Sequence, residues 1–407
     1  MSAAPPHRTA VRPTHAGVAA PTDQSCLGTF LAVTSDETRM KAMKTMTTMT
    51  TVRVAMLCAI GTLLLARWRA SRRFHVSGKV VMITGGSRGL GLVLAREFAR
   101  EGAKLVICAR DETELQRARR ALAEQGADVV ALPCDVSRLE QIEAVVRTAV
   151  ERFGGIDVLV NNASIMQAGP FEAMDIRDLR RAMEVNFWGT VNATTAVLPN
   201  MREHGEGAIV NVTSIGAVLA LPHVLPYTCS KFAARGFSEG LRAELGRAGI
   251  SVTTVIPWLM RTGSPVNAWF KGNAEHEYLW FSFADAIPFA TVSARYAARR
   301  IVAATKRREV EVVIGWPARV LKRVHDLFPG LTIRLFALMN RALPRAPEQE
   351  SGEKRGMQLA SLLSPSPLTA LLNRAARRLN QYGGQARPSP QHAHRVGLEG
   401  GTPRPRI

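Results

Sequence analysis

Cysteine is scarce. The chain has five in 407 residues, at positions 26, 58, 108, 134 and 229, and no two of them form a CxxC pair. That excludes a disulfide framework and a zinc ribbon, and it suits a reducing cytosol. Aromatic residues make up only 6%, with no RNA-binding aromatic signature, no zinc-finger spacing and no basic zipper. Acidic residues are also short, 33 against 53 lysines and arginines, for a formal charge of +20. Such an excess would suggest nucleic acid, but it sits mostly at the ends. Residues 1–76 carry ten basic residues against three acids, and residues 341–407 carry eleven against four. Nucleic acid is therefore not expected as a partner.

A long apolar run is missing too. The most continuous one, Val54 to Ala66 between Arg53 and Arg67, would reach about 20 Å as a helix, against a hydrocarbon core of about 30 Å. No small-x-small cleavage site comes after it. Two readings stay open for residues 40–76. Either the segment associates with a membrane, with Arg67, Arg69, Arg72 and Arg73 holding the downstream domain on the cytoplasmic side, or it packs as a helix on the protein's own surface. Residues 1–39 lack apolar periodicity and are expected to be unfolded, or to lie upstream of the true start among Met40, Met43, Met46 and Met49.

From Lys79 the pattern changes to short β-branched runs alternating with stretches of helical period, which predicts βαβ units and a parallel sheet. The runs are Val80–Thr84, Leu105–Ala109, Val129–Leu132, Val158–Val160, Ala208–Val212, Val252–Ile256 and Val310–Ile314. Seven strands result, with Glu112–Gln125, Leu139–Arg152 and Leu179–Arg202 as covering helices. The expected fold is an α/β, doubly wound, seven-stranded parallel sheet over residues 77–316. Short helices are expected over 317–344, punctuated by Pro329-Gly330. The tail 345–407 is basic and is expected to be largely unfolded. Its exception is Leu368–Leu379, whose basic amphipathic pattern suits an anionic membrane surface.

The first strand runs into Thr84-Gly85-Gly86-Ser87-Arg88-Gly89-Leu90-Gly91 and then a helix. Glycines there let the backbone turn sharply and let a pyrophosphate approach the helix N-terminus, where free N–H groups favour an anion. Further along, Tyr227 and Lys231 stand four apart at the start of a predicted helix, on one face, and Ser214 precedes them at the end of the fifth strand.

These motifs resemble those of the short-chain dehydrogenase/reductase family. Its TGxxxGxG pattern is met by Thr84, Gly85, Gly89 and Gly91, and its YxxxK by Tyr227 and Lys231. The resemblance implies a Rossmann fold and a catalytic tetrad of Asn186, Ser214, Tyr227 and Lys231. In that set Tyr227 is the general acid/base and Ser214 polarises the substrate oxygen. Lys231 binds the nicotinamide ribose and tunes Tyr227, and Asn186 supports a proton-relay water. It also implies that Asp135 contacts adenine, that Asn161 bridges strands and shapes the pocket, and that Thr262, in Pro257-Trp258-Leu259-Met260-Arg261-Thr262, touches the nicotinamide amide. Trp258 departs from the family's small residue there. Ser87 and the other residues of the glycine loop would cradle the phosphates.

A dinucleotide fold that selects NAD places a carboxylate at the end of the second strand. Here Ala109-Arg110 stands there. Arg88 and Arg110 could bracket a 2′-phosphate, so NADP(H) is expected over NAD(H), although Asp111 could still face the ribose. The expected activity is carbonyl–alcohol interconversion by hydride transfer. Between the sixth strand and the Val292–Lys306 helix, where the resemblance implies a variable substrate lid, Trp269, Phe270, Tyr278, Trp280, Phe281 and Phe283 suggest an apolar small-molecule substrate or, alternatively, core closure or a dimer contact. A homo-oligomer is expected. The competing reading is a non-catalytic NADP(H) sensor or scaffold, which would have no need for Tyr227 or Lys231.

Overall fold

The computed structural model describes residues 56–58, 60–61, 73–286, 291–346, 352–360 and 374–382. Residues 1–39, most of Val54–Ala66 and the first part of Leu368–Leu379 lie outside them. The sheet, its helices and the site all belong to the unit formed by residues 70–407.

Seven strands build the main sheet: β1 Val80–Thr84, β2 Lys104–Ala109, β3 Val129–Pro133, β4 Val158–Asn161, β5 Gly207–Val212, β6 Ile250–Pro257 and β7 Glu311–Ile314. Their order is β7-β6-β5-β4-β1-β2-β3 and every pair is parallel. The order reverses between β1 and β4, so a crevice opens at their C-terminal ends, where open α/β sheets bind ligands. β1, β4, β5 and β6 are buried along their whole length. That explains their near-continuous apolar runs, since helices cover both faces.

Alternate residues feed two cores. Val81, Ile83, Leu105 and Ile107 pack with Leu94 and Phe98 of helix α1 (Gly89–Arg100). Met82, Val106, Leu159 and Ile209 face Ile142 and Val145 of α3 (Leu139–Phe153). Helix α2 (Glu112–Ala123) lies between them in sequence and is capped by Asp111, whose Oδ1 accepts from Glu114 N at 2.8 Å.

The helix expected over Leu179–Arg202 is divided. It runs as α4 (Ile176–Met183), a π-helical turn Glu184–Trp188, and α5 (Gly189–Glu203). Such widened turns often mark functional positions, and this one carries Asn186, 1% exposed. Then come α6 (Leu225–Glu244), α7 (Ala274–Ala286) and α8 (Ala294–Lys306). After β7, α9 (Trp316–Leu327) and α10 (Pro329–Asn340) form the expected C-terminal helices, with Pro329 opening α10 at its first position.

Two short pieces of the tail are described, and both pack on the catalytic unit. Lys354–Arg355 pairs antiparallel with Trp269–Phe270, which pairs parallel with Gln167–Ala168. Residues 374–378 are helical and Ala376 is fully buried. Leu359 inserts among Ala168, Phe270, Tyr278 and Phe281. Each tail piece is anchored by one or two residues filling a gap in the catalytic unit. The membrane-facing role expected for Leu368–Leu379 is not seen in its described part. Ala376 is buried and Leu379 packs against the core.

Candidate active site

The glycine loop leaves β1 at Thr84, whose buried hydroxyl ties two strand ends together. It donates to Val160 O (3.4 Å) and accepts from the amides of Asn162 (3.0 Å) and Ala163 (3.1 Å). The Asn162 amide donates to the carbonyls of Thr84 and Gly85 at 3.0 and 3.1 Å, so Asn162, rather than Asn161, shapes this loop. Asn161 bridges β4 to its neighbours, donating to Asn211 Oδ1 (2.9 Å) and Thr194 Oγ1 (3.1 Å).

Gly85 and Gly89 have φ of +65° and +55°, and a Cβ on Gly91 would stand 2.1 Å from Gly85 O. The loop is therefore a Cβ-free cradle at the start of α1. Arg88, the N-cap, gives no side-chain cap, so the first turn's N–H groups are left for another acceptor. These features fit the pyrophosphate of a dinucleotide.

The charged residues beside the cradle are arranged differently from expectation. Asp111 is used as the α2 cap, not turned toward a ribose. Arg88 is paired with Glu114, Nη1 to Oε1 at 2.8 Å, and Ser87 Oγ donates to the same carboxylate at 3.4 Å. Burial raises the Glu114 carboxyl above its usual range, and Arg88 opposes this. Glu114 was not singled out in the sequence, although an acid three residues after Asp111 is a capping-box signal. Arg110 is exposed. Burial, and then the neighbouring charges of Arg88, Arg110 and Arg181, hold the Arg355 guanidinium below its usual range. Asp135 closes a turn, its Oδ1 accepting from Ser137 N (3.0 Å) and Ser137 Oγ (2.7 Å).

The catalytic candidates converge. Ser214 caps a short 3₁₀ turn, its Oγ accepting from Gly216 N at 3.1 Å. Burial raises the Tyr227 phenol above its ordinary range; the neighbouring Ser214 hydroxyl lowers it, and the nearby Asp285 charge raises it. Lys231 is 3% exposed. Its Nζ lies 5.7 Å from the Tyr227 ring centre and donates to Val212 O at 3.1 Å. Burial brings its pKa down to about 8.

Asn186 is brought near but acts through others. Its Oδ1 accepts from Ile165 N (2.8 Å) and Ser164 Oγ (3.0 Å), and its Nδ2 donates to Ile165 O (3.0 Å) and Ser230 Oγ (2.9 Å). All four of its hydrogen-bonding positions are filled. The side chain clamps the loop after β4 to α6 and has no position left for a relay water.

Trp258 packs into an apolar cluster with Ile215, Leu219, Ile256 and Ala318, and a Cβ on Gly315 (φ +103°) would come within 2.9 Å of its Cβ. Its own φ is not positive, so the position tolerates a side chain. Most of the lid aromatics close a local core: Phe270, Tyr278 and Phe281 are buried edge-to-face, while Phe283 is exposed. The lid is fixed by Glu277, fully buried, which bonds His223 Nδ1 (2.7 Å) and Trp280 Nε1 (2.6 Å). Asp285, also on α7, is buried, which pushes its pKa up to about 7 against the charge of Arg261.

Thr262 stands at the end of the crevice, 5% exposed, and the tail covers it. Gln381 Nε2 donates to Thr262 O at 2.9 Å, and Gly89 N donates to Leu379 O at 2.9 Å.

A family model described as short chain dehydrogenase matches residues 79–269. A dehydrogenase/reductase SDR family protein 7-like of Anopheles gambiae is 37% identical over 246 residues, covering 59% of this chain and 76% of the relative. An 11-beta-hydroxysteroid dehydrogenase A of Sesamum indicum is 36% identical over 297 residues, 71% of this chain and 84% of the relative. Among solved structures, a gluconate 5-dehydrogenase from Burkholderia cenocepacia in complex with NADP and tartrate aligns with a TM-score of 0.55 at 28% identity, over 62% of this chain and 99% of its own. A short-chain dehydrogenase/reductase from Burkholderia phymatum in complex with NAD aligns at 0.57 and 26% identity, over 63% and 96%. With its parallel sheet, glycine cradle and Ser–Tyr–Lys cluster, the chain belongs to the short-chain dehydrogenase family and is an NAD(P)-dependent oxidoreductase.

Proposed function

We propose that this enzyme interconverts a lipophilic carbonyl and its secondary alcohol, with Tyr227 moving the proton and NADP(H) preferred to NAD(H). The observation that carries the catalytic reading is the half-buried Tyr227 beside Ser214, with buried Lys231 one helical turn away. At neutral pH a lysine titrating near 8 is mostly charged, and its charge favours the phenolate. Tyr227 gives its proton to the carbonyl oxygen in reduction and takes it from the alcohol in oxidation. Ser214 orients that oxygen through its hydroxyl. Asn186 is a positioning residue, holding the loop at Ser164 and Ile165. The dinucleotide, when bound, supplies or accepts the hydride. Gly85, Gly89 and Gly91 would hold its pyrophosphate, Lys231 its ribose and Thr262 its amide.

Preference for the 2′-phosphate is supported by the positive cluster of Arg88, Arg110 and Arg355, in which Arg charges already oppose one another. A lipophilic substrate is supported by the relative named for a hydroxysteroid. It is also supported by α9 and α10, where Leu327, Phe328, Leu331, Ile333, Leu335 and Leu338 are each more than half exposed. Arg319, Arg323 and Arg334 lie on the same helices. Among the described residues no helix is long and apolar enough to cross a membrane, so this pattern favours resting on an anionic lipid surface. Homo-oligomerisation is supported by the large exposed rings of Trp188 and Phe232. Oxidation of NADPH by a panel of carbonyls tests the reading: long-chain or polycyclic ketones should outperform small polar ones. Equal or better rates with small polar ketones, or no hydride transfer to any of them, would refute it.

A further inference from the structure

The segment that closes over the crevice has a defined shape. Residues 374–378 form a helical turn that ends with Leu379 N donating to Ala375 O and Gln381 N donating to Ala376 O, both at 2.9 Å. Asn380 takes φ +57° between them. This six-to-one bond around a left-handed residue is a common helix stop, and asparagine is one of the few side chains that accepts it. The stop turns Leu379 O, the Asn380 amide and the Gln381 side chain toward the cofactor cradle together.

Each group meets a partner that the cofactor reading reserves for the dinucleotide or its surroundings. Leu379 O accepts from Gly89 N at 2.9 Å, the donor at the head of α1 placed for a phosphate oxygen. Asn380 Nδ2 donates to Ser87 O (2.9 Å) and Glu114 O (3.0 Å). The Gln381 carboxamide is held at both ends, Nε2 on Thr262 O and Oε1 accepting from Asn267 Nδ2, each at 2.9 Å. Thr262 is the residue expected to touch the nicotinamide carboxamide. Gln381 also lies directly on the cradle, since a Cβ added to Gly89 would come 2.9 Å from its Nε2. The fit is close elsewhere too: Ala376 stands against Gly263 (φ +72°), where a Cβ would meet it at 2.5 Å.

We propose that the crevice is a binding site for the chain's own residues 376–382, which present a peptide carbonyl in place of a pyrophosphate oxygen and a carboxamide in place of nicotinamide, and so compete with the dinucleotide. The inference rests on the cofactor assignment made above. One N–H donates one full hydrogen bond, so Gly89 serves either Leu379 or a phosphate. Gln381, 3% exposed, fills the space over Gly89 that a ligand approaching the loop must enter. Dinucleotide binding therefore requires the segment to leave. Apparent affinity is then reduced by the fraction of molecules in which it is seated.

Full-length protein and the full-length double variant Asn380→Ala, Gln381→Ala test this. NADPH binding is read by calorimetry, and exposure of residues 374–382 by hydrogen exchange with and without saturating NADPH. The variant should bind NADPH about tenfold or more tightly, as expected if the segment is seated nine times in ten. In the unsubstituted chain, NADPH should strip protection from residues 374–382. A synthetic peptide of residues 374–382, added to the double variant, should weaken NADPH binding competitively. Equal or weaker NADPH affinity in the variant, or a segment that stays protected under saturating NADPH, would overturn the occlusion while leaving the cofactor assignment intact. Failure of both proteins to bind NADPH or NADH while the peptide still binds would overturn the competition and the cofactor assignment together.

Discussion

Lys231 is buried one helical turn beyond Tyr227, its Nζ 5.7 Å from the ring centre and its hydrogen bond directed to Val212 O. Burial lowers its pKa from 10.5 to about 8. An unfolded lysine keeps the higher value, so between these two values the unfolded chain binds more protons and stability rises with pH. Below about 8 the full cost is present, on the order of 3 kcal/mol for such a shift. Lys231→Met should therefore be more stable than the unsubstituted protein at pH 7, and that advantage should shrink by pH 10. Denaturant titrations at the two pH values measure it; an advantage independent of pH would show that Lys231 is not held against its charge.

Tyr227→Phe should lower turnover by about 10²–10⁴, the usual value of a positioned proton donor. NADPH affinity should stay within a few-fold, because the ring and its packing remain. Steady-state rates and calorimetry separate the two effects. Turnover close to that of the unsubstituted enzyme would remove Tyr227 from the reaction.

The proposed preference for NADP(H) is tested at the arginines beside the cradle. Arg110→Ala should weaken NADPH more than NADH, since a charge-assisted bond to the 2′-phosphate contributes about 1.5–3 kcal/mol. Arg88 is tied to the Glu114 carboxylate, so Glu114→Gln, which keeps the shape and removes the charge, should increase the preference for NADPH. Dissociation constants for both cofactors decide the matter. Parallel changes for NADPH and NADH would place the 2′-phosphate elsewhere.

The parts legible in the sequence were those governed by local rules. All seven strands lie where β-branched runs predicted them; the four central ones, β1, β4, β5 and β6, are buried on both faces and are mostly apolar for that reason. The glycines of the cradle and the Tyr227–Lys231 spacing come from backbone geometry and helical period. The features that could not be read are set by long-range pairing. Asp111 carried a local capping signal in Glu114 three residues on, but Arg88 gave no sign that it would find Glu114, 26 residues away. The π turn at Asn186 depends on a loop more than twenty residues earlier. The lid rings gave the same aromatic signal for a pocket and for a core, and packing chose the core. The tail's helical period at Leu368–Leu379 gave no sign of where it would dock, yet residues 379–381 find partners at Ser87, Gly89, Glu114, Thr262 and Asn267.

The lid hub carries a stability and a binding consequence. Glu277 is fully buried and joins His223, four residues before Tyr227, to Trp280 on α7. Glu277→Ala leaves both partners without their acceptor, and a buried donor left unsatisfied costs about 1–3 kcal/mol. Glu277→Gln, which keeps an acceptor for one partner, should recover part of that loss. If the hub also fixes the substrate lid, Glu277→Gln should raise KM more than it lowers kcat. A variant as stable as the parent, with unchanged KM, would mean that α7 is held by its apolar face alone.

The exposed face of α9 and α10 makes the last prediction. Leu327, Phe328, Leu331, Ile333, Leu335 and Leu338 are over half exposed there, while the two helices carry Arg319, Lys322, Arg323 and Arg334 against one acid, Asp326. Apolar residues interleaved with cations fit the boundary of an anionic bilayer, where rings and leucines enter the acyl region and arginines stay at the headgroups. The full chain should therefore sediment with phosphatidylserine vesicles and bind phosphatidylcholine vesicles weakly. Leu331→Glu with Leu335→Glu should abolish that binding without loss of turnover on a water-soluble ketone, since both side chains are over half exposed on α10. Salt should weaken the binding, because the cations act at the surface within a screening length of about 8 Å at physiological ionic strength. Unchanged sedimentation in the double variant would place any membrane contact outside this hairpin. A concentration-dependent dimer lost on the same substitutions would show instead that the face is covered by a second copy of the chain.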